Sequence, residues 1–194
     1  MKGSLSQILI GSIFIFLAIR VGVDLLADPI GYFLIAAGCY KLGEVFKDGR
    51  VAAYIAMGMI FFSMPSVMID FNLVDSGPWY YYSNFLFAAE LVLVFYLFRM
   101  LKEIAVKGGD NALEGRTRRL FNIYIPANLL MLGLGAVMAV YYSDSLQILA
   151  FILVIALLVL NIAFLLLLNA FRKSVKEDKP VMLSIEEAER GNYL

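Results

Sequence analysis

The chain has 194 residues, of which 62% are hydrophobic and 16% charged, with a mean hydropathy of +0.83 and a formal net charge of zero. A soluble domain is nearer half apolar and a quarter charged, and one small core cannot hide the surplus, because the surface would still have to be apolar. These proportions exclude a soluble domain, a disordered chain and a nucleic-acid binder, and leave an integral membrane protein.

A bilayer core about 30 Å thick takes about 20 mostly apolar residues per helix. The apolar runs here are continuous, unlike the alternating strands of a membrane barrel. In chain order they predict spans at 5–26, 29–46, 51–73, 79–101, 119–142 and 145–171. The expectation is an all-α bundle of six transmembrane helices over 1–173, followed by a polar tail at 174–194.

Lys2 ahead of the apolar stretch Ile8–Ile19 has the shape of a signal peptide, but no clean small-x-small cleavage site follows, so it is read as a retained first span. The second span is the shortest, starting after Asp28-Pro29 and ending near Lys41, Glu44 and Lys47, whose long side chains reach the interface. Pro65 in the third span and Pro126 in the fifth predict kinks. Trp79-Tyr80-Tyr81-Tyr82 opens the fourth span and Tyr141-Tyr142 closes the fifth, either as an interfacial belt or as the rim of a ligand's mouth. In the 102–119 connection Gly108-Gly109 breaks a helix and Asp110 or Asn111 caps the next, with Glu114 three residues after Asn111 as a capping box. The sixth span, Leu146–Phe171, carries no charge. Ser184 with Glu187 repeats the capping pattern in the tail, which is read as solvated or as a handle for a cytoplasmic partner.

Orientation follows from the basic residues. Alternating spans put 15 of the 16 Lys and Arg residues on one side, Arg20 alone excepted, while Asp24, Asp28, Asp70, Asp75 and Asp144 lie at the other ends. The expected location is therefore the cell (cytoplasmic) membrane, multi-pass, with both termini cytoplasmic. Arg116, Arg118 and Arg119 fall at the inner surface, where anionic lipid attracts them or a partner docks.

Polar groups inside a bilayer are costly and therefore informative. Glu90 lies 11 residues into the fourth span, about 16 Å down at 1.5 Å per residue. Asn161 in the sixth span lies a few ångströms deeper, and Asn128, after the Pro126 kink, at much the same level. These three are either an interhelical hydrogen-bond clasp, worth about 0.6 kcal/mol per bond, or a proton or ligand site. Nearer the outer face, Arg20 matches the depth of Asp70, with Asp24 a competing partner and Asn84 at a similar level. That cluster reads as a static ion pair, or as a gate or anion contact.

Short side chains at Gly31, Gly38, Ala52, Ala56, Gly133 and Gly135 speak for close helix packing. The sequence has no His and one cysteine, Cys39, which excludes His-ligated haem and zinc, His-dependent triads and internal disulfides. No hydrolase, protease or nucleotide-binding signature occurs, so no enzyme activity, cofactor or metal is expected.

Asp28-Pro29-Ile30-Gly31-Tyr32, followed by Leu34-Ile35-Ala36-Ala37-Gly38, resembles the D-x-I-G-Y-x-L-I-x-x-G pattern that opens a helix in small multi-pass Firmicutes membrane proteins of unknown function. The resemblance implies a Gram-positive membrane and carries no activity. Size and span number are also similar to the substrate-binding subunits of energy-coupling-factor vitamin transporters, but their Ala-x-x-x-Ala docking motif is not in the first span here. The expected function is binding or transport of a small molecule or ion at a polar site near the bilayer midplane: Glu90, Asn128 and Asn161, with Arg20 and Asp70 on the outer approach. The alternative is a non-catalytic membrane regulator, immunity protein or subunit of a larger membrane complex. Expected partners are the lipid bilayer, a small-molecule ligand and a membrane or cytoplasmic protein, with no nucleic acid.

Overall fold

A backbone surrounded by hydrocarbon must satisfy its own N–H and C=O groups within the segment, and these apolar runs accordingly form helix. The computed structural model describes residues 1–21, 28–67, 77–141 and 143–175, with the backbone alone at 17–21, 66 and 67. Among them are six α-helices: α1 Lys2–Val21, α2 Asp28–Leu42, α3 Lys47–Phe62, α4 Pro78–Lys107, α5 Asn111–Met138 and α6 Asp144–Ser174. A 3-10 turn at Met64–Val67 follows α3. The expectations for Asp24, Asp70, Asp75, Tyr142 and the tail beyond 175, Ser184 and Glu187 included, lie outside the described residues.

Three helices, α4, α5 and α6, are long and apolar enough to cross a membrane. Their outward faces carry large apolar side chains such as Leu130, Ile148, Phe151 and Leu166. In water these would form an unbroken apolar surface, whereas against lipid tails they cost nothing. By contrast, α2 and α3 have 15 and 16 residues, about 23 Å of helix, less than the hydrocarbon core.

The third predicted span, 51–73, differs most from the observed element. Helix α3 stops at Phe62, where the Ser63 N–H bonds back to the carbonyls of Met59 and Phe61. Pro65 then lies in the 3-10 turn. Proline has no N–H to give a continuing helix and clashes with the preceding turn, so it ends this helix instead of kinking it. Pro126, in contrast, stays inside α5.

Consecutive helices pack against one another, and α1 against α6 closes the ring. Neighbours run antiparallel: Gly11 lies against Gly31, and Gly38 against Ser4. Likewise Phe62 meets Phe85 across α3 and α4, while Phe98 meets Tyr124 across α4 and α5. Inside the ring the fully buried Phe164 ring stands 5.0 Å from Phe98, 5.9 Å from Tyr124 and 6.4 Å from Phe16, centroid to centroid. Four helices are thereby pinned to one aromatic centre. An even number of antiparallel helices brings the start of α1 and the end of α6 to the same end of the bundle, together with the turns at 43–46 and 108–110.

The start of α5 corrects the predicted capping box. Gly109 takes φ +68°, a left-handed conformation that glycine adopts without strain. This turn leaves Asp110, not Asn111, as the N-cap, its carboxylate accepting from the Leu113 N–H at 2.9 Å. Glu114 therefore stands one residue too late to complete the box with its cap. Asp110→Ala is expected to lower stability by about 1 kcal/mol, and Asn111→Ala to leave it unchanged, in thermal unfolding of the detergent-solubilised protein.

Candidate functional site

Glu90 stands on α4 about 18 Å from the Pro78 end and lines two internal cavities. The smaller, about 10 Å³, is walled by Ser12 of α1, Tyr32 and Ile35 of α2, Leu93 and Leu97 of α4 and Phe164 of α6. The larger, about 50 Å³, is walled by Phe87 and Leu91 of α4, Tyr124 and Asn128 of α5 and Asn161 of α6. One water needs at least about 10–15 Å³ on this measure. The first space is at the limit for one water and the second holds a few. Pockets for small organic ligands run to about 300–1,000 Å³, so neither space accommodates a vitamin-sized molecule.

The polar groups around the larger space are held by bonds between and along helices. The Tyr124 hydroxyl donates to Asn161 Oδ1 at 2.8 Å, tying α5 to α6. The Asn128 Nδ2 donates to the Tyr124 carbonyl one turn back, also at 2.8 Å. Pro126 deprives the Asn122 carbonyl of its usual donor, so the carbonyl that Asn128 engages is not the one proline frees. A carboxyl, two amides and a phenol suit a proton or a hard cation, which takes oxygen ligands. Among the described residues no three His, Cys, Asp or Glu side chains gather to hold a metal ion.

A second carboxyl belongs to the same neighbourhood. Asp28 opens α2 one turn before Tyr32, which lines the smaller cavity. Ser12, Tyr32 and Tyr124 thus join the polar centre around Glu90.

The structure brings Glu90, Asn128 and Asn161 onto one cavity wall. Arg20 lies in α1 with its side chain outside the described part, and Asp70 lies outside the described residues, so their pairing is not part of this geometry. Asn84 is engaged locally, its Nδ2 donating to the Tyr80 carbonyl at 2.8 Å. Ser12, Tyr32 and Tyr124 were not singled out as site residues from sequence. Hydroxyls and tyrosines are common in spans, and only facing direction separates these three. A signal existed for Tyr124, which precedes Asn128 by four residues and so shares its helix face.

The tyrosines in the first turns of α4 tie it to its neighbours. Tyr82 donates to the Phe62 carbonyl at 2.7 Å, satisfying an acceptor at the end of α3. Tyr80 donates to the Gly135 carbonyl at 2.8 Å and ties α4 to α5. Comparison with protein-family models, curated proteins and solved structures finds no match to the chain.

Proposed function

We propose that the protein is a multi-pass cell-membrane protein with six spans and both termini cytoplasmic, and that it binds and transports a proton or a monovalent cation at Glu90. The observation that carries this reading is that Glu90 lines both cavities and is their shared polar group. A protonatable carboxyl between two water-sized spaces can hand a proton or cation from one to the other. Ser12 and Tyr32 flank one side of it, and Tyr124, Asn128 and Asn161 the other. The small volumes favour an ion over an organic substrate.

Charge distribution supports the topology. Lys2, Lys41, Lys47, Arg50, the basic residues of 99–119 and Arg172 and Lys173 gather at one end of the bundle, and basic residues mark the cytoplasmic side.

Labelling tests the reading. A bilayer-soluble carbodiimide, which reacts with protonated carboxyls, is expected to modify Glu90 ahead of Glu44, Glu103 and Glu114 when the labelled peptides are mapped by mass spectrometry. Protection by sodium or potassium identifies a metal cation as the occupant, and labelling insensitive to both identifies a proton. Surface carboxyls modified while Glu90 stays intact overturns the proposal.

A further inference from the structure

A groove between α5 and α6 lies on the outside of the bundle at its basic end, with a volume of about 390 Å³. Its walls follow helical spacing on both sides. Arg116, Arg119, Leu120 and Ile123 form one face of α5, and Ala163, Leu166, Leu167 and Ala170 form one face of α6. The antiparallel helices run Arg116 to Ile123 inward against Ala170 to Ala163, so the groove reaches about 10 Å into the membrane. Its depth comes from the two alanines, whose missing side chains leave a channel beside Leu166 and Leu167.

The chemistry changes along this channel. Its mouth holds two guanidinium groups, and its length is apolar. Arg116 and Arg119 are exposed and form no ion pair among the described residues. Arg172 and Lys173 end α6 within a turn of Ala170, so the local charge is strongly positive. An arginine pair one turn apart matches phosphate oxygens with paired N–H donors, and basic pockets between helices on the cytoplasmic side suit anionic headgroups.

We propose that this groove is a binding site for one anionic phospholipid, with its phosphate between Arg116 and Arg119 and an acyl chain along Leu120, Ile123, Ala163 and Ala170. The two parts have separate tasks. A chain leaving bulk lipid for the groove gains little, because lipid tails are as apolar as leucine. The tail therefore positions the molecule, and the arginines select it.

Native mass spectrometry of the purified full chain in detergent, titrated with dioleoyl phosphatidylglycerol or dioleoyl phosphatidylcholine, tests this. The first phosphatidylglycerol adduct is expected to form about tenfold more readily than the first phosphatidylcholine adduct. Arg116→Gln with Arg119→Gln is expected to erase that preference, whereas Arg118→Gln, exposed but off the groove, keeps it. Filling the channel with Ala163→Leu and Ala170→Leu is expected to weaken phosphatidylglycerol binding with both arginines intact. All these positions lie on the surface or line the groove, and retained melting temperatures verify the fold. Equal uptake of the two lipids by the unaltered protein overturns the proposal, as does a preference that survives the arginine pair. Loss with the arginines but none on filling the groove also overturns it, because it makes the attraction one of surface charge alone.

Discussion

Glu90→Gln is expected to lower cation binding and flux about a thousandfold while leaving the melting temperature nearly unchanged. Glutamine keeps the shape and can still hydrogen-bond in both cavities, but it carries no charge and takes up no proton. A carboxylate and a monovalent cation about 4 Å apart at an effective dielectric near 20 attract by about 4 kcal/mol, and each 1.4 kcal/mol is about tenfold. The neighbours give a scale for comparison. Tyr124→Phe removes one neutral hydrogen bond, to Asn161, worth about 1 kcal/mol and hence roughly fivefold. The measurement is ion or proton flux into proteoliposomes holding an internal indicator, read beside thermal unfolding of each variant. If Glu90 were only a clasp, its replacement would cost about 0.6 kcal/mol of stability and leave flux alone. Unaltered flux in Glu90→Gln therefore removes the transport reading.

The sequence made some of this centre legible through simple depth arithmetic. Glu90, Asn128 and Asn161 lie about 18, 15 and 26 Å from the Pro78, Met138 and Asp144 ends of their helices, so a rise of 1.5 Å per residue puts all three in the middle third of the bundle. Long uncharged runs such as Leu146–Phe171 likewise declare their helices. What depth does not give is direction around the helix axis. Ser12 and Tyr32 face Glu90 because of how α1 and α2 rotate against α4, which depends on packing across the whole ring. The end of α3 was hidden for another reason. Hydropathy stays high through Phe61, Phe62 and Met64, so only the backbone limits of Pro65 separate a kinked helix from a terminated one. The glycines show the same gap most plainly. Gly31, Gly38, Gly133 and Gly135 read alike in the sequence, yet Gly133 has nothing within 4 Å of where its side chain would be, while Gly31 and Gly38 abut α1.

That contrast leads to the largest expected loss of stability. Combining Gly11→Ala with Gly38→Ala is expected to destabilise the bundle by about 3 kcal/mol or more, since overpacking one site costs about 1–3 kcal/mol. A Cβ on Gly11 would fall 2.5 Å from the Gly31 carbonyl oxygen, and one on Gly38 would fall 2.6 Å from the Ser4 carbonyl oxygen. Backbone atoms cannot rotate away as a side chain does, so α1 and α2 must separate along their whole contact. Gly133→Ala adds the same methyl group to open space and is expected to cause no loss. The first pair also bears on the site: Ser12 follows Gly11 and Tyr32 follows Gly31, and both line the smaller Glu90 cavity. Parting the helices therefore opens that cavity and lets water to Glu90, so carbodiimide labelling should fall as stability falls, because water returns the activated carboxyl to the free acid before the stable adduct forms. Thermal unfolding and peptide mapping of the same samples check both effects. Equal melting temperatures for the paired variant and Gly133→Ala would mean that α1 and α2 do not meet backbone to backbone.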